Sequence, residues 1–263
     1  MENFEFDGDK YNKGSRHQKE WGAKLVTELP LKGDERILDL GCGDGVVTKQ
    51  LADRVPHGEV IGIDASEGML KVAQNLEADN LSFILLDINE LDFQEEFDLI
   101  FSNATLHWVK DHHRLLRNCY MALKPGGMLR FNFAGDGNCS NFYEVIKEIM
   151  QLEPYREYFV DFAWPWFMPG IEEYEQLTKV SRFNRIQVWE ENADRFFKDA
   201  DEMIKWIDQP SIVPFIRLVK EHQKEHFRRE VIERMLVKTK QPDGTYFETF
   251  RRIDVIAYKL DKQ

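Results

Sequence analysis

The feature that most constrains this chain is the segment Leu38–Gly45, which reads LDLGCGDG. A short apolar run ends in an acid there. Glycines then occupy every second position, and a segment with helical spacing, Val46–Arg54, follows. Glycine permits left-handed backbone and lets the main chain approach a ligand closely, and the first N–H groups of a helix have no partner within the helix. The pattern is typical of a strand, a tight turn and a helix that together hold a nucleotide-type ligand.

The alternation of strand and helix continues through the first half of the chain. Further apolar runs typical of buried strands are Glu59–Ile63, Leu81–Leu86, Phe97–Ser102 and Met128–Phe133. After residue 134 the rhythm breaks, and strand patterns return only at Arg185–Trp189 and Tyr246–Tyr258. Continuous apolar runs between helices indicate a parallel sheet covered on both faces. We therefore expect an α/β, Rossmann-like, mostly parallel sheet of seven strands with helices on both faces, whose last two strands come late.

Composition excludes several classes of function. The chain has 263 residues, and 47 acidic against 35 basic residues give a formal charge of -12, which repels phosphate backbones and anionic lipid. Nucleic acid and membrane are therefore not expected as partners. The charged first twenty residues lack the apolar core of a signal peptide, so we expect a cytoplasmic protein. The cysteines Cys42, Cys119 and Cys139 lack metal-ligand spacing, and no metal site is predicted.

Three acids end three successive predicted strands: Asp39, Asp64 and Asp87. A carboxylate at Asp64 could accept hydrogen bonds from both hydroxyls of a ribose, and one at Asp87 could accept from an adenine amino group. Each acid could instead be a helix cap or a loop carboxylate. An NAD fingerprint needs a third glycine at position 46, which is Val46. A site rich in carboxylates favours a cationic nucleoside without phosphate.

These motifs resemble the class I S-adenosylmethionine-dependent methyltransferases. The resemblance is carried by the D-x-G-x-G-x-G pattern at Asp39–Gly45, by Asp64 in GIDASEGML, by Asp87 in LLDI and by the LKPGG turn at Leu123–Gly127. Within that class, the segment FDLIFSNATLHWVKDH (Phe97–His112) and the late segments VWEENADRFF, IKWIDQPSIVPF and DGTYFETFRRIDVIAYK are most similar to the trans-aconitate and juvenile hormone acid methyltransferase group. The resemblance implies a methyltransferase with S-adenosyl-L-methionine as cofactor.

The resemblance also implies which residues bind the cofactor. They belong to the strand ends and turns of the core, with one aromatic residue of the N-terminal arm that would cover the sulfonium. The set is Tyr11, Asp39, Gly41, Gly43, Asp64, Ala65, Met69, Asp87, Ile88 and Asn103. The glycines and Asn103 would lie near the methionine part, Asp64 on the ribose, and Asp87 with Ile88 around the adenine.

The acceptor implied by the resemblance is a small organic acid, O-methylated on its carboxylate by direct SN2 transfer. A carboxylate is already ionised at neutral pH and needs no general base, so catalysis reduces to alignment and exclusion of water. Gln18 and Trp108 would donate hydrogen bonds to that carboxylate, with His107 beside them. Two alternatives stay open: an N-, C- or phenol O-methyltransferase that uses His107 as a base, and a non-catalytic S-adenosylmethionine-binding protein. Trp108 could also be a plain core residue.

We expect three parts of the chain: residues 1–134 with the N-terminal helix and the cofactor-binding core, residues 135–182 as an inserted helical lobe over the acceptor, and residues 183–263 that complete the sheet with helical excursions. Aromatic residues crowd the segment Trp164–Met168, and the sequence leaves open whether they form a lid or the core of the lobe. A monomer or a weak homodimer is expected.

Overall fold

The structure of the protein, a computed structural model, describes residues 16–261, apart from the side chains of residues 16–18, 209 and 210. The strands are β1 (Arg36–Leu40), β2 (Glu59–Asp64), β3 (Leu81–Leu85), β4 (Phe97–Asn103), β5 (Leu123–Ala134), β6 (Asn184–Asn192), β7 (Arg195–Phe197), β8 (Tyr246–Glu248) and β9 (Arg251–Tyr258). The helices are α1 (Arg16–Glu28), α2 (Val46–Arg54), α3 (Glu67–Ala73), α4 (His112–Ala122), α5 (Ser140–Met150), α6 (Ile171–Lys179), α7 (Ala200–Trp206), α8 (Val213–Ile216) and α9 (Glu221–Thr239).

Seven strands form one twisted sheet in the order β3-β2-β1-β4-β5-β9-β6. Strands β1 to β5 are parallel, and β9 runs antiparallel to both β5 and β6. The strand order reverses between β1 and β4, and in open α/β sheets a crevice for ligands lies at the carboxyl ends of the strands beside such a reversal. The mostly parallel, seven-stranded fold predicted from the sequence is confirmed.

The predicted strand Tyr246–Tyr258 is divided into two. Its first part, β8, pairs with β7 in a separate two-stranded sheet, and only β9 joins the large sheet. The carboxylate of Glu248, fully buried, accepts hydrogen bonds from the N–H groups of Asn141 (3.1 Å), Phe142 (3.0 Å) and Thr249 (2.8 Å). These bonds hold the chain at the first turn of α5, where orphan helix N–H groups need acceptors, and so break the strand.

Three apolar cores surround the strands. One lies between the sheet and α4 and α6, with Leu115 and Tyr174 in it. A second lies on the other face, against α1 to α3, and contains Leu25 and Leu51. Helices therefore cover both faces, as predicted. The third core lies around α5 and α7 to α9, outside the sheet.

The third core joins residues from both sides of residue 182. The rings of Phe142 and Phe215 lie 6.0 Å apart, and those of Phe159 and Phe227 lie 5.9 Å apart. The three-part division of the chain expected from the sequence stays a prediction. None of the helices in the described part of the chain has both the length and the apolar composition needed to cross a membrane.

A buried ion pair ties β5 to β9. Arg130 Nη1 lies 2.6 Å from Asp254 Oδ1, and the two side chains are 4% and 0% exposed. Asn132 Nδ2 donates to the other oxygen of Asp254 at 2.9 Å. Arg130 also lies over the ring of Trp189 on β6, 5.0 Å from its centre. The ion pair therefore joins β9 to β5, and the contact of Arg130 with Trp189 adds β6.

Replacing Arg130 by Met should lower the free energy of unfolding by about 3–5 kcal/mol, because the Asp254 carboxylate then stays buried without its cation. Urea unfolding measures the loss. Arg156→Met is the matched control, since Arg156 pairs with Glu153 on the surface and such pairs are worth about 0–1 kcal/mol. Adding Asp254→Asn to Arg130→Met should recover most of the loss. Equal losses for Arg130→Met and Arg156→Met would contradict this account.

Candidate cofactor and acceptor site

A cavity of about 450 Å³ opens at the carboxyl ends of β1, β2 and β4 and extends to the third core. Every predicted site residue whose side chain or glycine backbone the structure describes lines it: Asp39, Gly41, Gly43, Asp64, Ala65, Met69, Asp87, Ile88, Asn103, His107 and Trp108. Tyr11 and the side chain of Gln18 lie outside the described residues. The fold thus brings together residues that are up to 69 positions apart in the chain, from Asp39 to Trp108.

The glycine turn after β1 lies against the end of β2. The N–H groups of Gly41 and Cys42 both donate to the carbonyl of Ile63, at 2.8 and 2.9 Å. Gly41 has a φ of +72°, and a Cβ there would lie 2.1 Å from Thr105 Cγ2. Glycine is therefore required at this position for two reasons: the left-handed backbone and the close contact with Thr105 in the loop that follows β4.

The Asp64 carboxylate is oriented by two backbone donors. Gly43 N–H donates to Oδ2 and Ser66 N–H donates to Oδ1, each at 2.9 Å. These two bonds hold both oxygens of the carboxylate in place at the edge of the cavity. The role of Asp64 toward a ribose stays a prediction.

Asp39 is almost fully buried, at 2% exposure, and accepts a hydrogen bond from Thr48 Oγ1 at 2.7 Å. Burial, against the opposing Thr48 hydrogen bond and with a contribution from the nearby charge of Asp64, raises the pKa of this carboxyl to about 7. Asp39 therefore joins the end of β1 to α2, and it also lines the cavity.

Asp87 performs the capping role that the sequence left open. Its Oδ1 accepts from the backbone N–H and from the side-chain amide of Asn89, at 2.8 and 2.6 Å, at the start of the 3₁₀ turn Ile88–Glu90. Its role toward an adenine stays a prediction.

His107 lies in the 3₁₀ turn Leu106–Trp108 that follows β4. Its Nδ1 is buried and has no hydrogen-bond partner within the described part of the chain. Burial, together with the nearby charge of Arg252, lowers the pKa of His107 to about 3. The imidazole is therefore neutral.

The segment Trp164–Met168 is both a wall of the cavity and part of the third core. Trp164, Trp166 and Met168 line the cavity, and both tryptophans also pack on the third core. The segment is fastened to the turn of His107: Phe167 N–H donates to His107 O at 2.8 Å, and Lys110 Nζ donates to Trp166 O at 3.0 Å and to Trp164 O. The rings of Trp108 and Trp166 lie 5.4 Å apart.

Arg252 is the main site residue that sequence reasoning missed. It is 4% exposed, lines the cavity and donates to Asn132 Oδ1 from Nε (2.8 Å) and Nη2 (2.6 Å). Its guanidinium lies 4.9 Å from the centre of the Trp21 ring. It was missed because the sequence does not give the direction of β9. This strand is antiparallel to β5, so its first residues lie beside the last residues of β5, at the edge of the sheet where the cavity opens.

Ala104 and Tyr143 are among the other cavity residues that sequence reasoning missed. Ala104 has a φ of +59° between β4 and the turn of His107, an uncommon conformation for a residue with a Cβ. Tyr143 is half-buried in α5, and its hydroxyl donates to Met168 Sδ at 3.2 Å. Neither has a local motif that marks it in the sequence. No group of side chains able to hold a metal ion occurs among residues 16–261.

Comparison with known proteins gives the class of enzyme. A family model described as a methyltransferase domain matches residues 38–131. A trans-aconitate 2-methyltransferase of Variovorax paradoxus is 30% identical over 243 residues, which are 90% of this chain and 91% of the relative. A malonyl-[acyl-carrier protein] O-methyltransferase of Priestia megaterium is 32% identical over 138 residues, 51% of this chain and 50% of the relative. The solved structure of phosphoethanolamine N-methyltransferase 2 of Haemonchus contortus with S-adenosyl-L-methionine matches with a TM-score of 0.60 at 21% identity, over 97% of this chain and 57% of that one.

This chain belongs to the S-adenosylmethionine-dependent methyltransferases. The residues matched by the family model include the glycine turn, Asp64, Asp87 and His107. The class of enzyme and the cofactor predicted from the sequence are confirmed.

The buried Asp39 should make stability depend on pH. Its pKa is about 7 in the folded chain against 3.8 as a free side chain, so the folded state keeps a proton that the unfolded state releases. The stability contribution is complete below pH 3.8 and is lost as the pH rises through about 7. Between pH 5 and pH 7 the free energy of unfolding should fall by about 2–3 kcal/mol from this group.

Urea unfolding of the ligand-free protein across this range checks the prediction, with Asp39→Asn as the variant. The asparagine keeps an oxygen for Thr48 but cannot titrate, so the fall should be absent. Asp53→Asn, at an exposed position of α2, should leave the wild-type pH dependence intact. Parallel curves for the wild type and Asp39→Asn would show that Asp39 is ionised when folded.

Proposed function

We propose that this methyltransferase O-methylates the carboxylate of a small organic acid. The observation that carries the proposal is a separation of charge along the cavity. The carboxylates of Asp64 and Asp87 lie at the end formed by β2 and β3, whereas the buried cation Arg252 lies at the other end, near neutral His107. Such an arrangement favours a cationic ligand at the first end and an anionic one at the second.

The residues of the first end fit the cofactor. The oriented Asp64 carboxylate suits the ribose hydroxyls, Asp87 and Ile88 suit the adenine, and the turn at Gly41 and Gly43, which lines the cavity, suits the methionine part. Ala65, Met69 and Asn103 complete this wall of the cavity. Bound there, S-adenosylmethionine supplies an electrophilic methyl group on a positively charged sulfur.

At the second end, the chain's task is to orient and desolvate the acceptor. A carboxylate needs no proton removed, so the low basicity of His107 is no obstacle, and its ring can donate a hydrogen bond. We assign Gln18 and Trp108 as further neutral donors to the acceptor. The walls formed by Trp164, Trp166 and Tyr143 exclude water and suit an acid with a planar or apolar body.

The relatives support an acid as acceptor. The names of the Variovorax paradoxus and Priestia megaterium proteins refer to trans-aconitate and to a malonyl group, both of which bear carboxylates. The alternative is an amine or phenol deprotonated by His107, and a histidine whose pKa is lowered to about 3 is poorly matched to that task.

The acceptor class is tested by methyl transfer from labelled S-adenosylmethionine to trans-aconitate, a panel of aryl and alkyl monocarboxylic acids, and phenols and primary amines of matching shape. Acids should be methylated, and their esters should be released by mild alkali. His107→Ala should lower kcat on the best acid by about tenfold or less, the size of one lost hydrogen bond. Turnover of phenols or amines that His107→Ala lowers by about 100-fold or more, the size of a lost base, would select the alternative. Tight cofactor binding without turnover of any probe would favour a non-catalytic protein.

Asp64 is tested by binding alone. Asp64→Asn should weaken S-adenosylhomocysteine by about 10- to 100-fold in isothermal titration, because the amide presents N–H groups where two charge-assisted bonds are proposed. The control is Asp53→Asn, which removes a surface carboxylate. This variant should bind like the wild type. Unchanged affinity of Asp64→Asn would place the ribose elsewhere.

A further inference from the structure

We infer that His112 and Tyr174 position the acceptor end of this methyltransferase's site. Both are buried, at 1% and 0% exposure, on α4 and α6. Neither lines the cavity, so any effect on the reaction must pass through other residues.

The hydrogen bonds of His112 fix its tautomer. Nε2 lies 3.0 Å from the carbonyl oxygen of Leu106, and Nδ1 lies 3.0 Å from the hydroxyl of Tyr174. A carbonyl oxygen can only accept, so Nε2 carries the proton and donates it to Leu106. Burial lowers the pKa of His112 to about 4, so the ring is neutral and Nδ1 accepts from Tyr174. Each nitrogen therefore has one role, set by its partner.

The His112 ring contacts both walls of the acceptor end, which are the turn that carries His107 and the aromatic segment Trp164–Met168. Leu106 begins the 3₁₀ turn that carries His107 and Trp108. The His112 ring also lies 4.8 Å from the ring of Phe167, whose N–H is bonded to His107 O. His112 thus contacts the turn and the aromatic segment where the two are fastened together.

The cofactor end is held by different bonds. The turn at Gly41–Gly45 is fastened to Ile63 and Asp64 at the end of β2. Loss of the His112 bonds should therefore disturb the acceptor end and leave cofactor affinity unchanged. This inference depends on the established methyltransferase class and not on the acceptor being an acid.

The test compares His112→Gln with His112→Asn. The side-chain nitrogen of glutamine is as many bonds from the backbone as Nε2, so it can still donate to Leu106; that of asparagine corresponds to Nδ1 and cannot. Tyr174→Phe removes the other bond. His113→Gln, on the exposed neighbour, is the control. Three quantities are measured: exchange of the amides of residues 106–110 and 167 with deuterium, the Kd of S-adenosylhomocysteine, and kcat and KM with trans-aconitate.

In His112→Asn, these amides should exchange about tenfold faster or more, because the Leu106 carbonyl has lost the donor that ties it to α4 and keeps only the N–H of Val109, within its own turn. In His112→Gln and His113→Gln the change should stay within about twofold, and in Tyr174→Phe it should be intermediate. The Kd of S-adenosylhomocysteine should be unchanged throughout. Where trans-aconitate is methylated, kcat should fall in His112→Asn and recover in His112→Gln.

Equal exchange in His112→Asn and His112→Gln would overturn the inference, and so would a parallel loss of cofactor affinity. If His112→Asn does not fold, Tyr174→Phe decides: wild-type exchange at residues 106–110, or faster exchange that extends to Gly41–Gly45, would refute the positioning role. The exchange and binding measurements need no acceptor, so they separate this inference from the proposed acceptor class.

Discussion

The structure depends on the contact between the glycine turn and the end of β2. The carbonyl of Ile63 accepts two N–H groups from the turn, and the carboxylate of Asp64 accepts a third, from Gly43. The contact brings the ends of β1 and β2 together and leaves Thr105, after β4, directly against Gly41. A side chain at Gly41 would separate these three chain segments. The cavity exists because the backbone, and not side chains, fills the point where they meet.

Much of this arrangement could be predicted from the sequence because its determinants are local. The alternation of apolar runs and helices gave the sheet, and acids at strand ends converge wherever parallel strands share an edge. The division of Tyr246–Tyr258 could not be predicted, because it results from the contact of Glu248 with a helix more than 100 residues away. Arg252 was missed for a related reason: its position at the site follows from the antiparallel direction of β9, which a strand pattern does not contain.

The two ends of the cavity use different means to handle charge. At the cofactor end, backbone N–H groups orient the carboxylates of Asp64 and Asp87. At the acceptor end, burial keeps His107 neutral and aromatic rings form the walls. The low pKa of His107 follows from this burial, with the nearby charge of Arg252 acting in the same direction.

The position of β9 between β5 and β6 has a consequence for how the chain acquires its structure. Strand β6 pairs only with β9 in the described sheet, although about sixty residues separate them in the chain. During synthesis β6 therefore emerges before the strand that it pairs with, and the residues of α7 to α9 are made in between. Pairing across such a separation is slow. The half-exposed edge strand β6 thus stays unpaired until residues 251–258 have been made, and an unpaired strand edge in a nascent chain is prone to aggregation.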